Sequence, residues 1–274
     1  MKKIATLGPK GTYCDIAVKR FLEDNMLDYE IEYYPSIIKT ANALEKTDLA
    51  IIPFENTLDG FVVEGLDQII KNHYWISQQI KLDIDFAFVS NSNNLDTIKN
   101  CYCQFKAYGQ CLDFIAKNNF NIITTESNGE SLDKVITSNE EYAAIIPMHL
   151  AIKNNFNINI SHVADSKNNE TRFFIISKER KKIELNDNME ASIVIESFGE
   201  DRPGTLYDIL RQFHDEEINL KSIMSRPMKT EMGKYKFYFE CTVNSSNVNK
   251  LNNIKNNIEK TNSKVTILGI YSSI

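Results

Sequence analysis

Residues 1–24, MKKIATLGPKGTYCDIAVKRFLED, carry the reading that decides the fold. The apolar run at 2–7 predicts a strand, Gly8, Pro9 and Gly11 make a tight turn, and apolar residues at helical spacing predict a helix over 13–24. The alternation continues through the first 178 residues. Further strands are predicted at 30–34, 49–53, 80–89, 120–124, 142–146 and 171–177, and helices at 37–46, 60–72, 107–118 and 130–138. Several of these helices follow a residue type that can cap their free N–H groups. Such a chain implies an α/β domain on a largely parallel sheet, with ligands held at the carboxyl ends of the strands.

The pattern stops at SKERKKIELNDNME, residues 177–190, a charged stretch poor in apolar residues that reads as a linker with a boundary near 186. Beyond it come strand ASIVIES, a helix from Gly204 to Phe213, strands NLKSIMS and KYKFYFECTV, a helix over 246–259, and strand KVTILGIY. That order is βαββαβ, the split arrangement of a ferredoxin-like domain. No internal repeat relates the two parts. With 274 residues, 42% of them hydrophobic, the chain is long enough for two domains.

Composition narrows the partners. With 31 basic against 37 acidic residues the formal charge is −6, and no basic cluster is interleaved with aromatics, so a small molecule is expected rather than a nucleic acid. No run of eighteen apolar residues occurs, and Gly8 and Pro9 arrive before a signal-peptide core could form, so a cytoplasmic location without membrane contact is expected. The five cysteines, at 14, 101, 103, 111 and 241, lack CxxC spacing and the four histidines are scattered, which predicts reduced thiols and no metal site. A redox or metal cluster of Cys101, Cys103 and Cys111 is the sharper alternative to buried free thiols.

Four segments hold the candidate chemistry. GPKGTYC at 8–14 follows a strand, and its amides together with the next helix N-terminus either hold a carboxylate or make a plain strand-to-helix turn. IPFENTLDG at 52–60 puts Glu55 and Asn56 at a strand's carboxyl end, where Asn56 either meets a ligand or caps a turn. CQFKAYGQC spans 103–111, and NETRF spans 169–173. Strand alternation sends Thr171 and Arg172 to opposite faces. Arg172, one of two arginines in the first 178 residues, either binds a carboxylate or pairs with an acidic side chain across the sheet.

In this order and spacing the four segments resemble the GPxGTYS, VPIENSxxG, SHPQALAQC and NxTRF motifs of the prephenate dehydratase family, and the resemblance covers nearly the whole chain. It implies a two-lobed, periplasmic-binding-protein-like catalytic domain over residues 1–180, with lobe one at 1–77 plus 157–180 and lobe two at 78–156. The implied reaction is the decarboxylating dehydration of prephenate to phenylpyruvate in phenylalanine biosynthesis, with no cofactor. Thr171 is implied to be the principal catalytic residue, donating to the departing hydroxyl, with Asn56, Gln110 and Cys103 beside it. Thr12, Cys14, Glu55, Ser127, Asn128, Arg172 and Phe173 are the implied substrate contacts. Cys14 and Cys103 stand where the family has Ser, Gln104 and Phe105 where it has HisPro, and Ser127, Asn128 and Gly129 where it has SerThrAla. These departures give the alternative reading, a homologue acting as an amino-acid-binding regulator or as a prephenate decarboxylase that expels no hydroxide.

In residues 190–274, RPGTLYDIL at 202–210 is similar to the RPGAL turn of ACT domains, and IMSRP at 223–227 to the dehydratase form ESRP. The resemblance implies that L-phenylalanine binds between two ACT domains of a homodimer or homotetramer. Gly204, Thr205, Leu206, Met224, Ser225, Arg226 and Pro227 would form that seat, with Met224 in place of the family's Glu.

Overall fold

The computed structural model describes residues 1–180, 185–197, 203–228 and 235–272. The first elements are β1 (Lys3–Leu7), α1 (Tyr13–Asp24), β2 (Glu30–Tyr34), α2 (Ile37–Asn42), β3 (Leu49–Asn56), β4 (Gly60–Phe61), α3 (Val63–Asn72) and β5 (Trp75–Asp83). There follow β6 (Phe86–Ser90), β7 (Asn100–Gln104), α4 (Phe105–Gly109), α5 (Leu112–Asn118), β8 (Asn121–Thr125), α6 (Asn128–Thr137), β9 (Tyr142–Pro147), α7 (Met148–Lys153) and β10 (Ile158–Ser161). The chain then returns as β11 (Glu170–Ser177). The last part is β12 (Met189–Ser197), α8 (Thr205–Asp215), β13 (Leu220–Pro227), β14 (Tyr235–Val243), α9 (Lys250–Glu259) and β15 (Ser263–Ser272).

Local chemistry accounts for these elements. Helix α1 buries Cys14, Ala17, Val18 and Phe21, an i, i+3, i+4, i+7 stripe that lies on lobe one's sheet, and Thr12 caps it by accepting the Asp15 N–H. Strand β3 is buried along most of its length because it runs between β1 and β11. Ser36 and Ser127 cap α2 and α6 in the same way as Thr12 caps α1.

Each lobe has the same plan. In lobe one β2, β1 and β3 are parallel, and β11 and β5 continue the sheet, each antiparallel to the strand before it. In lobe two β8, β7 and β9 are parallel, and β6 and β10 continue it in the same way. The expected largely parallel sheet holds for β2, β1, β3 and β5 in lobe one and for β8, β7, β9 and β10 in lobe two, with β11 and β6 running against the others. The single strand expected at 80–89 is two, β5 in one sheet and β6 in the other, with Ile84 and Asp85 crossing between them. The crossings thus fall at 84–85 and between Ser161 and Glu170, not near 77 and 157. The helix expected at 107–118 breaks into α4 and α5 around Gln110 and Cys111. Strands β7 and β10 and helix α7 are additions to the expected elements.

The last part has the expected βαββαβ order, with an antiparallel sheet ordered β13-β14-β12-β15. Helices α8 and α9 cover one face, where Phe213, Leu251 and Ile254 meet Ile193, Ile195 and Phe239. The other face joins lobe one: Val194, Tyr238, Leu268 and Tyr271 pack with Phe54, Ile76 and Phe174 in one core. Strand β15 touches β5 where Gly269 pairs with Ile76, and a Cβ on Gly269 would stand 2.3 Å from the Ile76 carbonyl oxygen, so only glycine allows this approach. The two sheets become one of ten strands. Arg202 of the RPG turn and residues 181–184 of the expected linker lie outside the described residues. No helix among the described residues is long and apolar enough to cross a membrane.

Candidate active site

Strands β3 and β11 run antiparallel with Asn56 opposite Thr171. Asn56 Oδ1 accepts the backbone N–H groups of Leu58 and Asp59, each at 3.0 Å. A backbone N–H can only donate, so these bonds settle the amide: its oxygen faces the turn and its nitrogen faces β11. Nδ2 donates to Asn169 Oδ1 at 2.8 Å, to Thr171 Oγ1 at 3.0 Å and to the Glu170 carbonyl at 3.1 Å. Thr171 Oγ1 is thereby an acceptor from Asn56, which leaves its own hydrogen available to donate elsewhere.

The orientation propagates. Asn169, 3% exposed, uses its oxygen on Asn56 and donates Nδ2 to Gln110 Oε1 at 2.9 Å. Gln110 lies between α4 and α5 of lobe two, so the contact crosses the cleft. With its oxygen engaged by Asn169, Gln110 keeps its amide hydrogens available to donate. Asn169 is absent from the expected site although it belongs to NETRF. Its signal is position alone, two residues ahead of Thr171 and just before β11 begins.

On the opposite face of β11 lies Arg172. Its Nε donates to Glu55 at 2.8 Å, Nη2 lies 2.6 Å from Glu55, and Nη1 and Nη2 hold the two oxygens of Glu240 at 3.1 and 2.7 Å. Nη1 also reaches Gln79 at 3.3 Å and Glu190 at 3.6 Å. The donors are saturated by protein, and burial's tendency to lower its pKa is overcome by Glu240 and Glu55, which raise it. Arg172 and Glu55 are therefore not substrate contacts as expected; alternation turns both toward the second domain. Phe173 is corrected too: it shares Thr171's face but is 1% exposed, covered by α1 in the lobe-one core.

The loop after β1 is largely self-satisfied. The Gly8 N–H donates to the Tyr34 carbonyl at 2.8 Å, and Gly11, at φ +85°, donates to Asp15 Oδ2 at 2.9 Å. The Gly8–Pro9 peptide is cis. Thr12 caps α1 and donates to the Pro9 carbonyl at 2.9 Å. Burial works to raise the Asp15 pKa, but Lys19, Tyr33 and Gly11 outweigh it and hold the carboxyl below the ordinary range. Cys14 points into the lobe-one core, where burial pushes its thiol up to about 12. Cys103 is fully buried in the lobe-two core with Cys101 and Cys111, and burial raises its thiol as well. Both thiols face away from the cleft, contrary to expectation, and all five cysteines are free.

Lobe two closes over this loop. His149 of α7 has Nε2 at 3.3 Å from the Gly11 carbonyl and its ring edge-on to Tyr13 at 5.5 Å. Burial lowers its pKa to about 4, so at neutral pH the imidazole is uncharged and donates to Gly11. Lys106 of α4 reaches Asp59 at 3.2 Å. Ser127 caps α6 by accepting the Glu130 N–H at 3.1 Å, while the Asn128 Oδ1 beside it is buried with no hydrogen-bond partner.

In the second domain Gly204 adopts φ +93° ahead of α8, with Thr205 and Leu206 in its first turn. Alternation along β13 divides the other expected effector contacts. Ser225 and Pro227 are exposed, whereas Met224 packs against the core shared with lobe one and Arg226 bonds Asp67 of α3 at 2.9 Å. Met224 and Arg226 are thus interdomain contacts, not open ligand contacts.

A sequence profile described as prephenate dehydratase matches residues 4–181. A prephenate dehydratase of Methanocaldococcus jannaschii is 33% identical over 265 residues, covering 96% of this chain and 95% of the relative. A prephenate dehydratase of Staphylococcus aureus superposes with a TM-score of 0.85 at 24% identity, covering 98% of this chain and all of that one. A prephenate dehydratase of Arthrobacter aurescens in complex with L-Phe superposes with a TM-score of 0.82 at 23% identity, covering 98% of this chain and 90% of that one.

Proposed function

The chain belongs to the prephenate dehydratase family, and we propose that it converts prephenate to phenylpyruvate in the cleft between its lobes, with Thr171 as the donor to the leaving hydroxyl. The observation that carries this reading is the bond from Asn56 Nδ2 to Thr171 Oγ1, which leaves the Thr171 hydrogen available to donate.

The chemistry balances without an added reactant beyond a proton. The C–C bond to the ring carboxylate breaks and releases CO2. Its electron pair becomes a ring π bond as the opposite C–O bond breaks, and the departing hydroxide takes a proton from solvent. Formation of an aromatic ring supplies the driving force. The protein's part is to hold the ring and stabilise hydroxide as it forms, the kind of preorganised donor worth about 10²–10³ in rate. Thr171 serves the hydroxide, Gln110 offers amide hydrogens to a substrate oxygen, and Asn56 and Asn169 set both. Ser127 and Asn128 at the head of α6, on the lobe-two side, and Thr12 at the head of α1 are the further substrate contacts of this reading.

Two of the departures behind the regulator and decarboxylase readings, Cys14 and Cys103, lie inside the lobe cores, which leaves Asn128 as the departure that still supports them. Mixing the pure protein with prephenate and following phenylpyruvate tests the proposal. No product would refute it, and loss of CO2 without an aromatic product would point to the decarboxylase. L-Phenylalanine is the proposed effector, seated where Gly204, Thr205 and Leu206 meet Ser225 and Pro227 of a second copy paired along the outer strand β13. Calorimetry showing no heat with millimolar L-phenylalanine would refute that seat.

A further inference from the structure

We propose that Arg172 is a positioning residue through which the second domain holds Thr171 against Asn56, its grip being the bidentate pair with Glu240. The inference rests on the reading of Thr171 as donor. Four features of the molecule support it.

Against β3, Thr171 and Arg172 lie beyond a register shift between Arg172 and Phe173, while the pairing of β11 with β5 runs unbroken from Glu170 to Ile175. The β3 ladder from Phe173 to Ile176 therefore does not by itself set how Thr171 meets Asn56. Arg172 ties this short end to two places, Glu55 on β3 and Glu240 on β14. Its flat guanidinium also lies 5.2 Å over the Phe54 ring, which leaves it little rotational freedom.

Glu240 is itself held from several strands. It is 1% exposed and accepts from Tyr271 Oη at 3.0 Å. Tyr271 and Tyr238 meet at Ser192 Oγ, at 2.7 and 2.8 Å. Strands β12, β14 and β15 thus fix the carboxylate jointly, and a shift of that sheet against lobe one must move it. Phenylalanine-linked movement of the second domain would reach the cleft by this contact.

Steady-state kinetics of the full chain test this with Glu240→Gln, Glu240→Asp and Arg172→Lys, each made alone and together with Thr171→Val. Each single change is expected to lower kcat about tenfold to a hundredfold with KM within about threefold, since a displacement near 1 Å costs that much. In the Thr171→Val background the same changes should cost nothing further, because the donor they position is gone. Full additivity, or wild-type kcat in all folded single variants, overturns the inference. Unfolding midpoints separate misfolding from misplacement, and Glu240→Asp keeps the charge should the glutamine variant fail to fold. Wild-type turnover in Thr171→Val alone would instead overturn the reading of Thr171.

Discussion

Replacing Asn56 by Asp is nearly isosteric but inverts the polarity of the amide relay. The oxygen facing Leu58 and Asp59 is kept, so the turn is undisturbed. The nitrogen that donates at 2.8, 3.0 and 3.1 Å becomes an acceptor facing three oxygens. The Thr171 hydrogen then turns inward to the introduced carboxylate, and the leaving hydroxyl loses its donor. Asn169 can satisfy that carboxylate only by flipping, which puts its oxygen against Gln110 and forces Gln110 to present an oxygen to the substrate. Loss of one such donor is worth about 10²–10³ in kcat. The reversed Gln110 should raise KM as well, while the residual mismatch at the Glu170 carbonyl costs about 1–3 kcal/mol of stability. Phenylpyruvate formation at mildly alkaline pH, where the new carboxyl is ionised, gives kcat and KM, and thermal unfolding gives the rest. A folded Asn56→Asp enzyme with kcat within about threefold of wild type would refute the relay.

Thr171→Val keeps shape and β-branching, and should lower kcat about 10²-fold with substrate affinity little changed, read from single-turnover and steady-state rates. Cys103→Ser should leave kcat near wild type but lower stability by about 1–3 kcal/mol, because it puts a hydroxyl among apolar side chains; a large gain in kcat with unchanged stability would place the residue in the cleft. His149 has a folded pKa of about 4 against an ordinary 6.5, so the unfolded chain takes up the extra proton as pH falls through that window. Stability should be full above about 6.5 and fall by on the order of 1–2 kcal/mol toward 4, after discounting for the ring's partial exposure. His149→Gln, which keeps a donor to Gly11, should remove that part of the pH dependence in urea melts.

The strand–turn–helix units and the polar residues at strand ends are legible in the sequence, and Asn56, Gln110 and Thr171 do converge. Where the chain changes sheets is not legible. Ile80, Leu82, Ile84 and Phe86 keep a period of two straight through the crossing, so alternation has no break to read. Arg172 stays open between two roles because Glu240, its deciding partner, lies 68 residues away in another domain. Cys14 is a different case: its helical stripe with Ala17, Val18 and Phe21 already places it inward, and periodicity is the better guide there than position in a motif. His149 sits on a six-residue helix, too short for a periodic signal.

The period of two in β11 also explains why one strand serves two tasks. Thr171 meets Asn56 on the cleft face, and Arg172 meets Glu240 on the face shared with the second domain, so the proposed chemistry and the proposed coupling fall on neighbouring residues without competing for space. The donor set also depends on both lobes. Asn56 and Thr171 belong to lobe one, Gln110 to lobe two, and Asn169 to the segment that returns between them. A lobe opening that breaks the 2.9 Å contact between Asn169 and Gln110 leaves the Gln110 amide free to rotate. Its hydrogens are aimed only when the cleft is shut, which is also when water is excluded and each hydrogen bond to the substrate counts for most.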